Sequence, residues 1–253
     1  MAISAPPEIC LQPNVWFFES VLHKGKISEI TLLVNDFNDE RVVMKRNIGR
    51  LCEERYSNEF KLAALQTLRG NENVISFLGT FDDCILMEFA SDGNLKDLIA
   101  TKPDFWSVYS QIASGLRFIH QNQIAHRDLK LQNILVTDRA IFKISDFNLS
   151  KRFIDDAGKR VRFTESIGTP RYQSPELLRD REYDGESSDI WAFGIVLLQL
   201  LTTEGIWSRA HQSDEIYQRF LNKSFPTDIS DEERSFLANF LQTDPEKRHL
   251  LPK

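Results

Sequence analysis

Polar and apolar positions alternate in the first third of the chain and then give way to helical spacing. Residues 28–34 (SEITLLV) and 41–45 (RVVMK) carry β-branched side chains on either side of a polar turn, Asn35–Glu40, which predicts a hairpin. Residues 58–69 place Leu62, Leu65 and Leu68 at helical intervals, with Asn58 as a start signal and Gly70 as a stop. Two more strands are expected near residues 74–78 and 84–89, and Ser91-Asp92-Gly93-Asn94 is turn-like. Beyond that turn, residues 106–120 are amphipathic, with Val108, Ile112, Leu116 and Ile119 on one face. Short strands are predicted around residues 134–136 and 142–144, and helices from Pro175 onward. The pattern therefore describes an α+β, bilobal chain: a small β-rich N-lobe over about residues 14–90 and a larger α-helical C-lobe over about 91–253.

Composition narrows the class. A chain of 253 residues, 42% of them hydrophobic, can bury a sizeable core. A net charge of −6 gives no electrostatic case for nucleic acid or an acidic membrane surface. Cys10, Cys52 and Cys84 are scattered and form no CxxC pair, which points to a reducing compartment, cytoplasmic or nuclear. Residues 1–13 lack the basic-then-apolar order of a signal peptide. The longest nearly apolar stretch, residues 191–201, is about half of what a bilayer requires, so no membrane span is expected and it reads as a buried helix.

The chemistry concentrates in His126-Arg127-Asp128-Leu129-Lys130-Leu131-Gln132-Asn133, followed after thirteen residues by Asp146-Phe147-Asn148. Phosphoryl transfer needs a carboxylate beside the attacking hydroxyl, hard oxygen ligands for a magnesium ion, and cations on the phosphates. Asp128 suits the first need, Asn133 and Asp146 the second, and Lys45 and Lys130 the third. An isolated HRD-like tripeptide would also read as a solvated turn; eight patterned residues followed by a second acidic motif do not.

These motifs resemble the HRDLKxxN loop and DFG motif of eukaryotic-type protein kinases, and the resemblance covers nearly the whole chain in the family's order. It implies a protein-kinase-like fold using ATP and Mg²⁺, with Asp128, Lys130 and Lys45 as catalytic residues and Asn133 and Asp146 on the metal. Val42-Val43-Met44-Lys45 looks like the strand carrying the phosphate-binding lysine. Met87-Glu88-Phe89-Ala90 looks like the gatekeeper and hinge, with backbone at Glu88 and Ala90 meeting adenine. Leu22, Ile30 and Val43 would cover one face of the base and Leu135 the other. Gly168 to Glu176 (GTPRYQSPE) is similar to the end of an activation segment. Asp189 would hold the backbone of the catalytic loop, and Arg248 would pair with Glu176; these roles are structural. Lys130 and Thr169 lean the substrate class towards Ser/Thr. The family usually places its activating phosphate on a Ser or Thr three residues before Gly168, where it binds the Arg of HRD. That position holds Glu165, between Thr164 and Ser166. Its carboxylate would reach Arg127 and replace part of the phosphate's role.

Three departures stand out. The GxGxxG phosphate loop maps to residues 23–28 (HKGKIS), so only Gly25 survives, with His23 and Ser28 in the other glycine positions. Asn148 replaces the Gly of DFG, a position expected to need φ > 0, which Asn tolerates. The helix glutamate that pairs with the phosphate-binding lysine is replaced by Lys61. Glu59 lies roughly 200° around the helix from it and Glu54 about two turns away. Lys45 is then expected to rely on Asp146 or on the phosphates. The reading is a protein serine/threonine kinase acting on protein substrates, with a regulatory protein partner as a further candidate. The alternative is a pseudokinase that binds nucleotide or a partner as regulator or scaffold. Phosphorylation of a small molecule is disfavoured by the full activation segment.

Overall fold

A computed structural model describes residues 15–25, 28–47, 62–179 and 182–250. The small lobe is a five-stranded antiparallel sheet in the order β1-β2-β3-β5-β4. Its strands are β1 (Trp16–Lys24), β2 (Ser28–Asn35), β3 (Arg41–Asn47), β4 (Phe77–Phe81) and β5 (Cys84–Glu88). The expected hairpin is β2–β3, closed by Asn35, whose N–H donates to the Glu40 carbonyl and whose side chain accepts from the Phe37 N–H. Opposed residues of a sheet share a face. The register Leu32–Val43–Met87 and Ile30–Lys45–Ile85 therefore puts Val43, Lys45, Ile30 and Met87 on one face.

Two expectations shift here. The strand predicted at residues 74–78 begins at Phe77; Val74 and Ile75 instead bond to Ile144 of the large lobe. β1 was not predicted as a strand. It carries irregularities between Phe18 and Ser20 and between Val21 and His23, and these break the period-2 pattern. Residues 62–67 are helical (α1) and bury Ala64, Leu65 and, just beyond, Leu68. The predicted helix start at Asn58, and Lys61, Glu59, Glu54, Cys10 and Cys52, lie outside the described residues.

The large lobe is helical. Asn94 caps α2 (Leu95–Leu98), and Asp104 caps α3 (Phe105–Gln121) by accepting from the Ser107 N–H. The apolar face of α3 is buried as its spacing predicts. Short strands β6 (Ile124–Ala125), β7 (Ile134–Val136), β8 (Phe142–Ile144) and β9 (Lys151–Arg152) frame the loops that carry the polar motifs. After α4 (Pro175–Arg179) comes α5 (Gly185–Leu201), capped by Asp184 and buried over most of its length. α6 (Glu215–Leu221) and α7 (Asp231–Leu237) pack outside it. Trp191, Phe193, Val196 and Leu197 are fully buried on α5. Each contributes roughly 2–3 kcal/mol by leaving water, so α5 is the rigid post on which the site is built. Among the described residues no helix is long and apolar enough to cross a membrane.

Candidate active site

α5 sets the catalytic loop through one buried carboxylate. Asp189 accepts the backbone N–H of His126 at 2.7 Å, that of Arg127 at 2.8 Å, and contacts His120 Nε2 at 3.0 Å. A buried carboxylate needs such donors. Here they hold a backbone that is itself unusual, with Arg127 at φ +66°. His126 in turn meets the Ser145 carbonyl at 2.8 Å and packs edge-on against Phe147 at 5.0 Å. The loop after β6 and the loop after β8 are thus joined.

Asp128 sits in this frame with both oxygens engaged. Oδ1 accepts the Thr169 N–H at 2.9 Å and its hydroxyl at 2.7 Å; Oδ2 accepts Lys130 Nζ at 2.6 Å. Lys130 also reaches the Thr169 hydroxyl at 3.0 Å. Asn133 donates Nδ2 to the Asp128 carbonyl at 2.8 Å, which turns its amide oxygen away from Asp128. Gly168 precedes Thr169 at φ +92°, and a Cβ there would stand 2.6 Å from the Arg127 carbonyl, so the close approach requires glycine.

Lys45 Nζ lies 2.7 Å from Asp146 Oδ1. Burial pushes the Asp146 carboxyl up, but the charge and hydrogen bond of Lys45, with His126 and Lys130 further off, outweigh it and hold it below the usual range. The group is therefore an anion at neutral pH. The unusual backbone expected at Asn148 falls instead on Asp146, at φ +65°; Asn148 sits inside a 3₁₀ turn, Phe147–Leu149, and is not among the residues with positive φ. The residue in the left-handed region is thus the one whose carboxylate meets Lys45, two positions earlier than expected.

The expected base-covering residues distribute around the cleft face of the sheet. Val43 is opposite Met87, Ile30 is opposite Lys45, and Leu135 bridges to Asn94. Ala90 is buried. Leu22 lies at the irregularity of β1 and is about half exposed. The Glu88 N–H donates to the Ser76 carbonyl, so a backbone contact from Glu88 to a ligand has to come from its carbonyl. Its side chain accepts from the Ser76 N–H at 2.6 Å and pairs with the buried Lys143 at 2.9 Å.

In the activation segment Glu165 meets Arg127 at 3.4 Å and Lys151 at 2.9 Å. Partial burial raises its carboxyl. The hydrogen bond from Lys151, its own backbone N–H and the Arg127 charge win, holding it down to about 2. Arg127 also lies over the Phe163 ring at 4.7 Å. Thr164 and Ser166 are exposed. Glu176 and Arg248 form a buried two-pronged pair at 2.6 and 2.7 Å, with the guanidinium over Trp191. Three contributors were missed from sequence: Lys151, Lys143, and Gln173, whose amide donates to the Ile167 carbonyl at 3.0 Å. Lys151 carried a readable signal, since a Glu set among cations asks for a second partner; the other two had none.

Two lobes, a carboxylate loop held from the central helix, and a lysine–aspartate pair across the cleft define a eukaryotic-type protein kinase domain. The sequence agrees: this chain belongs to the protein kinase domain family, which it matches over residues 17–251. It is 33% identical over 217 residues to the serine/threonine-protein kinase chk-1 of Caenorhabditis elegans, covering 80% of this chain and 43% of that protein. It is 31% identical to mitogen-activated protein kinase kinase kinase A of Dictyostelium discoideum, over 98% of this chain and 28% of that one. It is 30% identical to the serine/threonine-protein kinase grp of Drosophila melanogaster, over 77% of this chain and 39% of that one. The chain thus spans less than half the length of these relatives.

Proposed function

We propose that this domain transfers the γ-phosphate of ATP to Ser or Thr hydroxyls of protein substrates. The observation that carries the reading is the arrangement around Asp128: a carboxyl group fixed by Thr169, with Lys130 against it and Asn133 beside it. In this reading Asp128 orients the acceptor hydroxyl and takes its proton. Lys130, already 2.6 Å from Asp128, offsets charge on the moving phosphoryl group. Lys45 leaves Asp146 for the α- and β-phosphates, and Val43, Ile30, Met87, Ala90 and Leu135 enclose the base.

The donor set fits a magnesium ion. Among the described residues no group of three or more His, Cys, Asp or Glu could hold a metal. Mg²⁺ with a nucleotide asks for less, one or two oxygen ligands with phosphates and waters completing the shell. Asp146, held ionised, and the amide oxygen of Asn133 would supply them. When bound, the ion neutralises charge between the phosphates. The partners are protein substrates, with a regulatory protein as a further candidate; the net charge gives no case for nucleic acid.

The second reading is a pseudokinase. It is favoured by one contact: the carboxylate that pairs with Lys45 is the one a metal would need. One experiment separates the two. Purified chain is incubated with labelled ATP, Mg²⁺ and generic protein substrates beside an Asp128→Asn variant. Transfer should fall about 10²–10⁴-fold in the variant. Mg·ATP at ten times its Kd should still raise the melting temperature of both by roughly 3–6 °C. Unchanged transfer in the variant overturns the catalytic assignment. A thermal shift without transfer favours the pseudokinase.

A further inference from the structure

A glycine-rich hairpin binds phosphate by presenting free backbone N–H groups with no side chain in the way. The β1–β2 hairpin does neither at its surviving glycine. The Gly25 N–H donates to the Ser28 carbonyl at 2.9 Å, so it is used in closing the hairpin. Its open side is covered: the His23 imidazole Nε2 lies 2.9 Å from where a Cβ on Gly25 would stand.

The imidazole is also on the side of the sheet that matters. β1 slips register between Val21 and His23, which brings His23 opposite Ile30, and Ile30 is opposite Lys45. The three side chains therefore share one face, with His23 about 10 Å from Lys45 across two strand spacings. Lys45 on that face reaches Asp146. Without the slip His23 would point to the opposite face.

Among the described residues, the other charged groups nearby are already matched. Lys24 on β1 pairs with Glu29 of β2 at 3.3 Å, and Glu29 pairs with Arg46 of β3 at 2.6 Å. Lys45 and Asp146 satisfy each other. His23 is exposed and, among the described residues, has no hydrogen-bond or ion-pair partner.

We infer that His23 is a phosphate-binding residue, its imidazole N–H donating to the ATP phosphate chain in place of the backbone amides of a glycine loop. This rests on the kinase reading above. An N–H donor to an anionic phosphate oxygen makes a charge-assisted hydrogen bond, stronger than one between neutral groups.

The test uses the full chain. Direct Mg·ATP binding and the KM for ATP are measured for wild type, His23→Ala and His23→Arg, with melting temperatures as a folding control. His23→Ala should raise both Kd and KM about tenfold while kcat stays within twofold. His23→Arg should restore affinity. An unchanged or lower KM in His23→Ala overturns the proposal, because the imidazole then only covers the turn or obstructs it. If wild type binds no Mg·ATP, the kinase reading falls and takes this with it; if wild type binds and His23→Ala binds equally, only the role of His23 falls.

Discussion

Glu165→Ala should lower kinase activity in protein carrying no phosphate on Thr164 or Ser166. Glu165 ties three elements together: Arg127 of the catalytic loop, Lys151 of β9, and the segment that ends in Thr169 against Asp128. Its side chain is 42% exposed, whereas that of Arg127 is only 6% exposed. Solvent therefore screens the pairs, and each is worth about 1 kcal/mol rather than the several that a dry site would give. Losing both shifts the balance between the docked and undocked segment by about 2 kcal/mol, up to roughly thirty-fold in population. Activity should fall about five- to thirty-fold, chiefly in kcat. Glu165→Gln should lose nearly as much, since an amide cannot balance Arg127. The pH sign is definite. The folded carboxyl titrates at about 2, below its unfolded value, so its contribution is complete above about pH 4.5 and fades as pH falls towards 2. A phosphate in its place would change charge near pH 6, so the Glu165 contribution should be flat from pH 5 to 8. The assay is initial rate against pH for phosphate-free wild type, Glu165→Ala, and the Thr164→Ala/Ser166→Ala double variant. If the double variant is silent and Glu165→Ala keeps full activity, the reasoning is wrong.

Other perturbations separate structure from chemistry. Glu176→Gln leaves the fully buried Arg248 guanidinium with its charge unmatched. It should cost about 3–5 kcal/mol and lower the melting temperature by roughly 10 °C, with kcat measured well below melting changed less than threefold. A melting point within 2 °C of wild type would show that the pair carries little. Lys45→Met should cut transfer about 100-fold or more without lowering the melting temperature of the free protein comparably; retention of full transfer would remove Lys45 from the site.

The parts of the fold that were legible in the sequence are those with sustained local patterns. The β2–β3 hairpin and the amphipathic helix α3 emerge with boundaries within two residues of the expected ones. β1 was illegible because its two irregularities interrupt alternation, and because Phe17, Phe18 and Val21 face solvent where polar residues are expected. Val74 and Ile75 looked like a strand because burial selects the same residue types wherever the chain goes; their partner, Ile144, lies about seventy residues away. The pairs Glu176–Arg248, Glu165–Arg127 and Lys45–Asp146 and the hold of Asp189 on the catalytic loop were legible from the motifs, whereas the contacts around Asp128 were not. Lys130 was read as a cation for the phosphates and, with Thr169, as a mark of substrate class, and only the structure shows both meeting Asp128. The positive φ was placed on Asn148 because it stands where the DFG motif has Gly, whereas Asp146, whose carboxylate meets a partner 101 residues earlier, is the residue that adopts it.

The Glu176–Arg248 pair also bears on how the chain comes off the ribosome. Synthesis runs from the N-terminus, and domains fold as their pieces become available. The small-lobe strands emerge with their sheet partners soon present, and the catalytic loop gains Thr169 and Asp189, its two main supports, 41 and 63 residues later. Glu176 and α5 emerge early too, but the guanidinium that neutralises the one and caps Trp191 of the other arrives 72 residues later. Until then the nascent large lobe holds a carboxylate that cannot be buried at low cost. Its helices therefore have reason to stay loose, and accessible to chaperones, until Arg248 clears the exit tunnel.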